Sequence, residues 1–191
     1  MFYDIVLHIK GKKSGVVWKG EVLMKRYKTM IILFCIAIIL AVFLVTTNRS
    51  EQRYFFIDQV QFPLIELQGI IKMQEDDGWD KPQLISNKTI TIIDSLWYGT
   101  ASYSFPNKAL SAKDHDLLSG INSALQKLPM NDNYQIAKWA EQDIKRAKIL
   151  NEALKDAGLA METSYNKEWN FFIEQCEILS EKLIEYGYYE F

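Results

Sequence analysis

The sequence predicts an all-α protein in which one N-terminal transmembrane helix precedes an extracytoplasmic bundle of four to five amphipathic helices. Three observations lead to this fold class. An uncharged apolar run lies near the N-terminus, basic residues are in excess before it, and later apolar residues recur at three- and four-residue steps. The length of 191 residues suits one ordinary domain and an anchor.

The apolar run covers residues 30–45, and threonines at both ends extend the uncharged stretch to residues 29–47. A helix over that stretch spans about 28 Å, which is close to the hydrocarbon thickness of a bilayer. A buried core helix is rarely apolar on every face. We therefore expect residues 29–47 to be a transmembrane helix that contacts the lipid bilayer. The expected membrane-spanning residues are Met30, Ile31, Ile32, Leu33, Phe34, Cys35, Ile36, Ala37, Ile38, Ile39, Leu40, Ala41, Val42, Phe43, Leu44 and Val45.

The flanking charges predict the orientation of this helix. Residues 1–47 contain seven Lys and Arg against two acidic residues, a net charge of +5. Residues 48–191 contain fifteen basic against twenty-two acidic residues, a net charge of −7. Segments rich in Lys and Arg remain in the cytoplasm. We therefore expect a single-pass protein of the cell membrane, in which residues 1–28 are a short basic cytoplasmic N-terminus and residues 48–191 lie outside.

The end of the apolar run indicates a retained signal anchor. The sequence after Val45 is Thr-Thr-Asn-Arg, without the small residues of a signal-peptidase site. The codons for Lys19-Gly20-Glu21 can also contain a bacterial ribosome-binding sequence at a workable spacing before Met24. We therefore expect a bacterial chain whose translation starts at Met24, with residues 1–23 not translated. The alternative is that residues 1–23 are a translated cytoplasmic tail.

Two helices are predicted in the first half of the outer domain, residues 48–191. The first covers residues 50–74 and should be distorted at Pro63, which lacks an N–H. Its apolar stripe consists of Phe56, Val60, Leu64, Leu67 and Ile71. Residues 87–105 fit either a β-branched strand or a helix with a face of Ile90, Ile93, Trp97 and Ala101. No second clear strand is available for pairing, so we predict a helix.

Three further helices are predicted after Pro106. Ser111 and Asp114 form a capping-box pattern that starts a helix ending at Pro129. Asn131 or Asp132 should cap the next helix, which should reach residue 157 and end at a glycine. The last helix should cover residues 161–186. We expect Trp139 and Trp169 at core positions of these helices, and Trp97 at a core position of the helix before Pro106.

Few residues of the sequence are candidates for catalysis, cofactor binding or metal binding. His115 lies between Asp114 and Asp116, which is typical of a solvated helix start because acidic residues favour that position. The acidic turn at residues 75–80 lacks the spacing of an EF-hand loop, and Cys176 should be a buried free thiol. We therefore assign no catalytic, cofactor-binding or metal residue and expect no cofactor. The acidic outer domain also argues against nucleic-acid binding.

The C-terminal residues are the candidate interaction surface. Tyr188, Tyr189 and Phe191 follow Gly187, at which helical order should end. Three roles stay open for these aromatic side chains. They can pack back on the bundle, lie at the membrane interface or bind a partner.

The sequence predicts a non-enzymatic interaction module that docks a membrane or cell-envelope protein, with a homo-oligomer left open. The alternative is a small-molecule-binding or sensory domain with a pocket between helices. A polar cavity would favour the alternative, and a filled core would count against it. An enzyme would need a cleft that joins His115 to carboxylates remote in sequence.

Overall fold

The structure, a computed structural model, describes residues 4–101, 110–131, 136–163 and 166–190, with side chains from residue 27 onward except residues 48 and 49. All regular structure in these ranges is helical, which confirms the predicted all-α class. A π-helical segment, Ile57–Gln61, separates the first two helices. The α-helices are α1 (Asp4–Phe56), α2 (Phe62–Asp76), α3 (Gln83–Ala101), α4 (Ala112–Leu125), α5 (Glu141–Asp156) and α6 (Trp169–Glu185).

The chain divides into two compact units, Met1–Thr47 and Asn48–Phe191. In the first unit, every described side chain from residue 27 to residue 47 is exposed. One helix in the described part of the chain is long and apolar enough to cross a membrane. Its most apolar stretch has a mean hydropathy of 3.0, and none of that stretch is buried.

The second unit packs α2–α6 around one shared core. Helix α3 contacts α2 and α4, α6 contacts α4 and α5, and α2 contacts α5. The predicted stripe of the first outer helix is confirmed, since its five side chains are fully buried in this core. They are Phe56, Val60, Leu64, Leu67 and Ile71.

The helix distortion expected at Pro63 takes the form of the π segment that ends two residues before it. Pro63 has no N–H to donate, and its ring crowds the carbonyl four residues earlier. The helix accommodates both effects by a wider turn over residues 57–61. This turn keeps both Val60 and Gln61 buried.

Residues 87–101 are helical, as predicted, but the predicted buried face is wrong. The core side of α3 is formed by Ile85, Thr89, Ile92, Leu96 and Gly99. Trp97, expected in the core, is 61% exposed. The physical reason lies at Gly99, where an added Cβ would approach the Phe56 ring to 2.3 Å. The missing side chain creates the space for Phe56, so α3 faces the core one residue out of register with the predicted stripe. The predicted end of this helix, residues 102–105, lies outside the described residues.

Three helices end in the same glycine motif. In each case the backbone N–H of the residue after glycine donates to the carbonyl five residues back, at 2.7 Å for Trp79, 2.8 Å for Leu159 and 3.0 Å for Tyr188. The glycines have φ near +70°, which is the left-handed geometry of a Schellman motif. Gly158 therefore ends α5 as predicted. The residue after each glycine turns back toward the core.

The predicted helix starts are right for α4 and wrong for α5 and α6. Ser111 Oγ accepts a hydrogen bond from the Asp114 N–H at 3.1 Å, although α4 ends at Leu125, before Pro129. Helix α5 begins at Glu141, where Asp143 Oδ2 accepts a hydrogen bond from the N-cap Ala140 N–H at 2.9 Å. Asn131 does not cap this helix, since its Oδ1 accepts from the Ala137 N–H at 2.7 Å within a loop. Asp132 lies outside the described residues. Helix α6 begins at Trp169, eight residues later than predicted.

Candidate functional site

A surface groove of about 730 Å³ lies along α2, and we call it the α2 groove. Its apolar centre is formed by Ile70, Met73 and Met161, which lies in the segment after α5. Gly69 sets the position of that segment, because an added Cβ there would lie 2.8 Å from Met161 Cγ. The Met161 N–H also donates to Gln68 Oε1 at 3.3 Å. These two contacts fix the backbone position of Met161. The flexible thioether side chains of Met161 and Met73 line the groove.

Charged side chains form the rim of the α2 groove. Lys72 Nζ lies 2.7 Å from Glu162 Oε1, and this hydrogen bond holds the pKa of the Glu162 carboxyl below its usual value. On the α3 side, Lys88 Nζ lies 2.6 Å from Glu66 Oε2. Asp76 and Asp77 lie at the end of α2 and also line the groove. Within each ion pair the positive and negative charges cancel. Asp76 and Asp77 therefore leave this rim with a local negative charge.

A chain of buried amides connects α2 to α5 below the groove. Gln68 Nε2 donates to Asn151 Oδ1 at 3.0 Å, and Asn151 Nδ2 donates to Glu75 Oε2 at 3.0 Å. Partial burial raises the pKa of Glu75 because the carboxylate loses hydration there. The hydrogen bonds fix the face of α2 from which Met73 and Lys72 emerge. Glu75, the first residue of the acidic turn, therefore belongs to this network.

A second groove of about 380 Å³, the α6 groove, lies at the start of α6. One wall comes from residues 50–57 and the other from residues 167–170. The guanidinium of Arg53 lies over the Trp169 ring, 5.6 Å from its centroid. Trp169 itself is only 8% exposed, which confirms its predicted core position. This groove is small, with Arg53 on one wall and both Lys167 and Glu168 on the other.

The predicted C-terminal interaction surface is only partly at the surface. Tyr188 is fully buried, and its hydroxyl donates to the Ala124 carbonyl at 2.9 Å. Of the three roles left open, Tyr188 therefore packs back on the bundle, because the glycine motif at Gly187 directs the residue after it into the core. Burial raises the pKa of the Tyr188 hydroxyl. Tyr189 is 48% exposed, and Phe191 lies outside the described residues.

The predicted membrane-spanning residues, 30–45, are all exposed in the structure. The large apolar side chains among them range from 41% exposed at Val45 to 69% at Met30. Such exposure covers every face of the helix. The segment therefore has no protein core of its own within the described residues.

The residues considered for catalysis are not assembled into a reactive cluster by the described part of the chain. His115 Nδ1 lies 3.4 Å from Oδ1 of its neighbour Asp116, at the start of α4. Cys176 is a fully buried free thiol, as predicted, and burial raises its pKa, which keeps it protonated. Within the described residues, no group of three or more His, Cys, Asp and Glu side chains is placed to hold a metal ion.

Sequence reasoning missed both grooves. Met161 had been placed inside the last predicted helix, whereas it lies in a turn against Gly69. A glycine inside an amphipathic helix is the one local signal of such a close approach. The α6 groove depends on the pairing of α1 with α6, which periodicity within either helix does not reveal.

No family model matches the chain, and neither a curated protein nor a solved structure does.

Proposed function

We propose that this chain is a single-pass membrane protein that displays residues 48–191 outside the cell membrane as a non-catalytic interaction module. The main supporting observation is the contrast in burial between the two units. The apolar side chains of residues 30–45 are exposed, whereas residues 48–191 enclose a core of their own. Burying one Leu, Ile or Phe side chain is worth about 1.5–3 kcal/mol, so lipid is the environment that stabilises an exposed apolar helix.

Charge supports the proposed orientation. The segment before the apolar run is basic, and the unit after it is acidic. Segments rich in Lys and Arg remain on the cytoplasmic side, so the acidic helical unit is the translocated part. The uncleaved anchor and bacterial origin belong to the same proposal.

The α2 groove is the proposed docking site for a membrane or cell-envelope protein. An apolar centre within a charged rim is the usual anatomy of a protein interface. Met73 and Met161 are 41% and 63% exposed and can adapt to a partner's shape. Asp76 and Asp77 add negative charge at one end. The partner segment that fits this chemistry has an apolar anchor flanked by Lys or Arg.

One observation favours a second function, the binding of a small molecule. A volume of about 730 Å³ falls within the usual size of a ligand pocket. The rim argues for the larger partner, because Lys72 and Glu162 are 56% and 78% exposed and would leave a small ligand in contact with water. The core of the second unit consists mainly of apolar side chains, with buried amides such as Gln68 and Asn151 beside them.

Photocrosslinking of the full-length chain in its native membrane tests this function. A photoreactive residue replaces Met73 in the groove or, as a control, the exposed Ser123 on α4. We expect a discrete protein adduct from position 73 and none from position 123. Met161→Glu, which adds negative charge to the apolar centre, should abolish that adduct.

The same experiment distinguishes the alternatives. Equal adducts from positions 73 and 123 would contradict a docking site in the α2 groove. Absence of an adduct, combined with a metabolite that raises the thermal stability of the wild type and not of Met161→Glu, would favour the small-molecule function.

A further inference from the structure

Two of the three methionines in the second unit lie in the α2 groove. Residues 48–191 contain Met73, Met130 and Met161. Met73 is 41% exposed and Met161 is 63% exposed, and both line the groove, whereas Met130 is partly buried and does not line it. A thioether exposed to solvent is open to oxidation to the sulfoxide. The accessible thioethers of this unit are therefore concentrated at its proposed docking site.

The backbone of α2 covers one side of the Met161 sulfur. A Cβ added at Gly69 would lie 2.8 Å from Met161 Cγ and 3.5 Å from its Sδ, so the thioether lies directly on the glycine. The Met161 N–H also donates to Gln68 Oε1 at 3.3 Å, which holds the backbone of the same residue. The open side of the sulfur is the side away from Gly69. An oxygen atom bonded to this sulfur therefore points into the groove.

The groove offers such an oxygen atom little compensation. Lys72 Nζ already lies 2.7 Å from Glu162 Oε1. Lys88 Nζ likewise lies 2.6 Å from Glu66 Oε2. A sulfoxide oxygen would have to compete with these carboxylates for the ammonium groups that line the groove. It would add a polar acceptor to the apolar centre that a partner's apolar anchor has to cover, and burying such a group without a donor is unfavourable.

We propose that Met161 is a reversible oxidation site, and that peroxide weakens docking in the α2 groove by converting its thioether to the sulfoxide. The sulfur lone pair attacks one peroxide oxygen, the S–O bond forms as the O–O bond breaks, and hydrogen peroxide is reduced to water. The sulfur loses two electrons, and an apolar, flexible side chain becomes a polar one. A methionine sulfoxide reductase returns two electrons from a dithiol and releases the oxygen as water. This inference rests on the docking function proposed above and names its regulation.

The test uses the full-length chain in isolated native membranes, with the photoreactive residue at position 73. This replacement leaves Met161 as the methionine of the groove. Met161→Leu is the matched variant, with an apolar side chain of similar volume and no sulfur. Met130→Leu is the control that removes the methionine outside the groove. Each sample receives hydrogen peroxide or buffer, catalase removes the peroxide, and the sample is irradiated. Peptide mass spectrometry measures the fraction of each methionine that carries one added oxygen.

Before peroxide we expect the position-73 adduct from all three chains. Peroxide should oxidise Met161 at least about threefold faster than Met130, because Met161 is more exposed. It should reduce the adduct about tenfold in both chains that contain Met161 and leave it unchanged in Met161→Leu. A methionine sulfoxide reductase with a dithiol should restore the adduct. Because the partner meets the same peroxide in every sample, the difference between the chains reports on Met161.

Failure of this inference is distinguishable from failure of the docking function. Absence of the position-73 adduct before peroxide would overturn docking in the groove and its regulation together. An adduct that persists after Met161 is oxidised would overturn the regulation and leave docking intact. Equal loss of the adduct from Met161→Leu would overturn it too, since the sensitive group would then belong to the partner. Oxidation of Met161 no faster than that of Met130 would contradict the selective exposure of this site.

Discussion

Two apolar regions of the molecule, residues 30–45 and residues 56–71, have opposite surroundings. In the first, apolar residues follow one another without interruption, and every side chain is exposed. In the second, the five stripe residues recur at steps of three and four and are fully buried, whereas Phe62, which lies off the stripe, is 47% exposed. The difference teaches that the period of the apolar residues, more than their number, indicates what surrounds them. An all-round apolar helix needs an apolar solvent, whereas a striped helix needs a core.

The largest expected effect comes from placing charges in the first region, residues 30–45. Ile39→Arg with Leu40→Arg places two charges at the middle of the apolar run, at a cost of about 6–8 kcal/mol for membrane insertion. We expect most of the chain to become extractable from membranes by alkaline carbonate. Gln126→Arg with Gln142→Arg, at two exposed positions, is the control and should remain membrane-bound. Unchanged retention of the first double variant would contradict a spanning helix.

The second half of the comparison is tested by two neighbouring phenylalanines. Phe56 is fully buried, and Phe55 is 37% exposed. Phe56→Ala should lower the free energy of unfolding by about 3–5 kcal/mol, because it leaves a cavity between α1, α3 and α6. Phe55→Ala should lower it by less than about 1 kcal/mol. Denaturant unfolding of the full-length chain in mild detergent measures both, and equal losses would contradict the described burial.

Two glycine substitutions, one on α3 and one on α4, test how α3 contacts Phe56. Gly99→Ala places a methyl group 2.3 Å from the Phe56 ring and should destabilise the protein by about 1–3 kcal/mol. Gly120→Ala, within α4, meets nothing within 4 Å and should stabilise it by about 0.5–1 kcal/mol. Thermal melts of both variants measure the difference. Opposite signs are expected, and a stabilising Gly99→Ala would show that α3 does not contact Phe56 in this way.

The smallest expected effect concerns Glu75 below the α2 groove. Its pKa is raised from an ordinary value of 4.5, chiefly by burial, so the folded state holds its proton more tightly than the unfolded state does. The stability from this group is present below the ordinary pKa and is lost as the pH rises through the raised one. Glu75→Gln keeps an acceptor for Asn151 and removes this loss.

Melting temperatures of wild type and Glu75→Gln, measured from about pH 4 to about pH 7, test this linkage. We expect the variant to gain relative to the wild type as the pH rises. A difference in melting temperature that stays constant over this range would show that Glu75 is not buried as described.

Local sequence signals predicted the helices, the capped start of α4 at Ser111 and the glycine end of α5. They did not predict which side of α3 is buried, because that depends on Gly99 meeting a ring from another helix. They left open whether Tyr188 packs on the bundle or binds elsewhere, although an apolar residue after a helix-ending glycine commonly packs back on the helix, as Tyr188 does. The grooves depend on long-range pairings, such as Gly69 with Met161, that periodicity does not encode.

The most direct test of the central claim is the sidedness of the two flanks of the apolar run. The full-length chain with Cys35→Ala receives one new cysteine, either by Lys25→Cys before the run or by Ser123→Cys at an exposed position on α4. Intact cells are treated with a membrane-impermeant maleimide before and after lysis. The account predicts that position 123 is labelled in intact cells and position 25 only after lysis. Labelling of position 25 in intact cells, or protection of position 123 until lysis, would contradict a helical unit displayed outside the membrane.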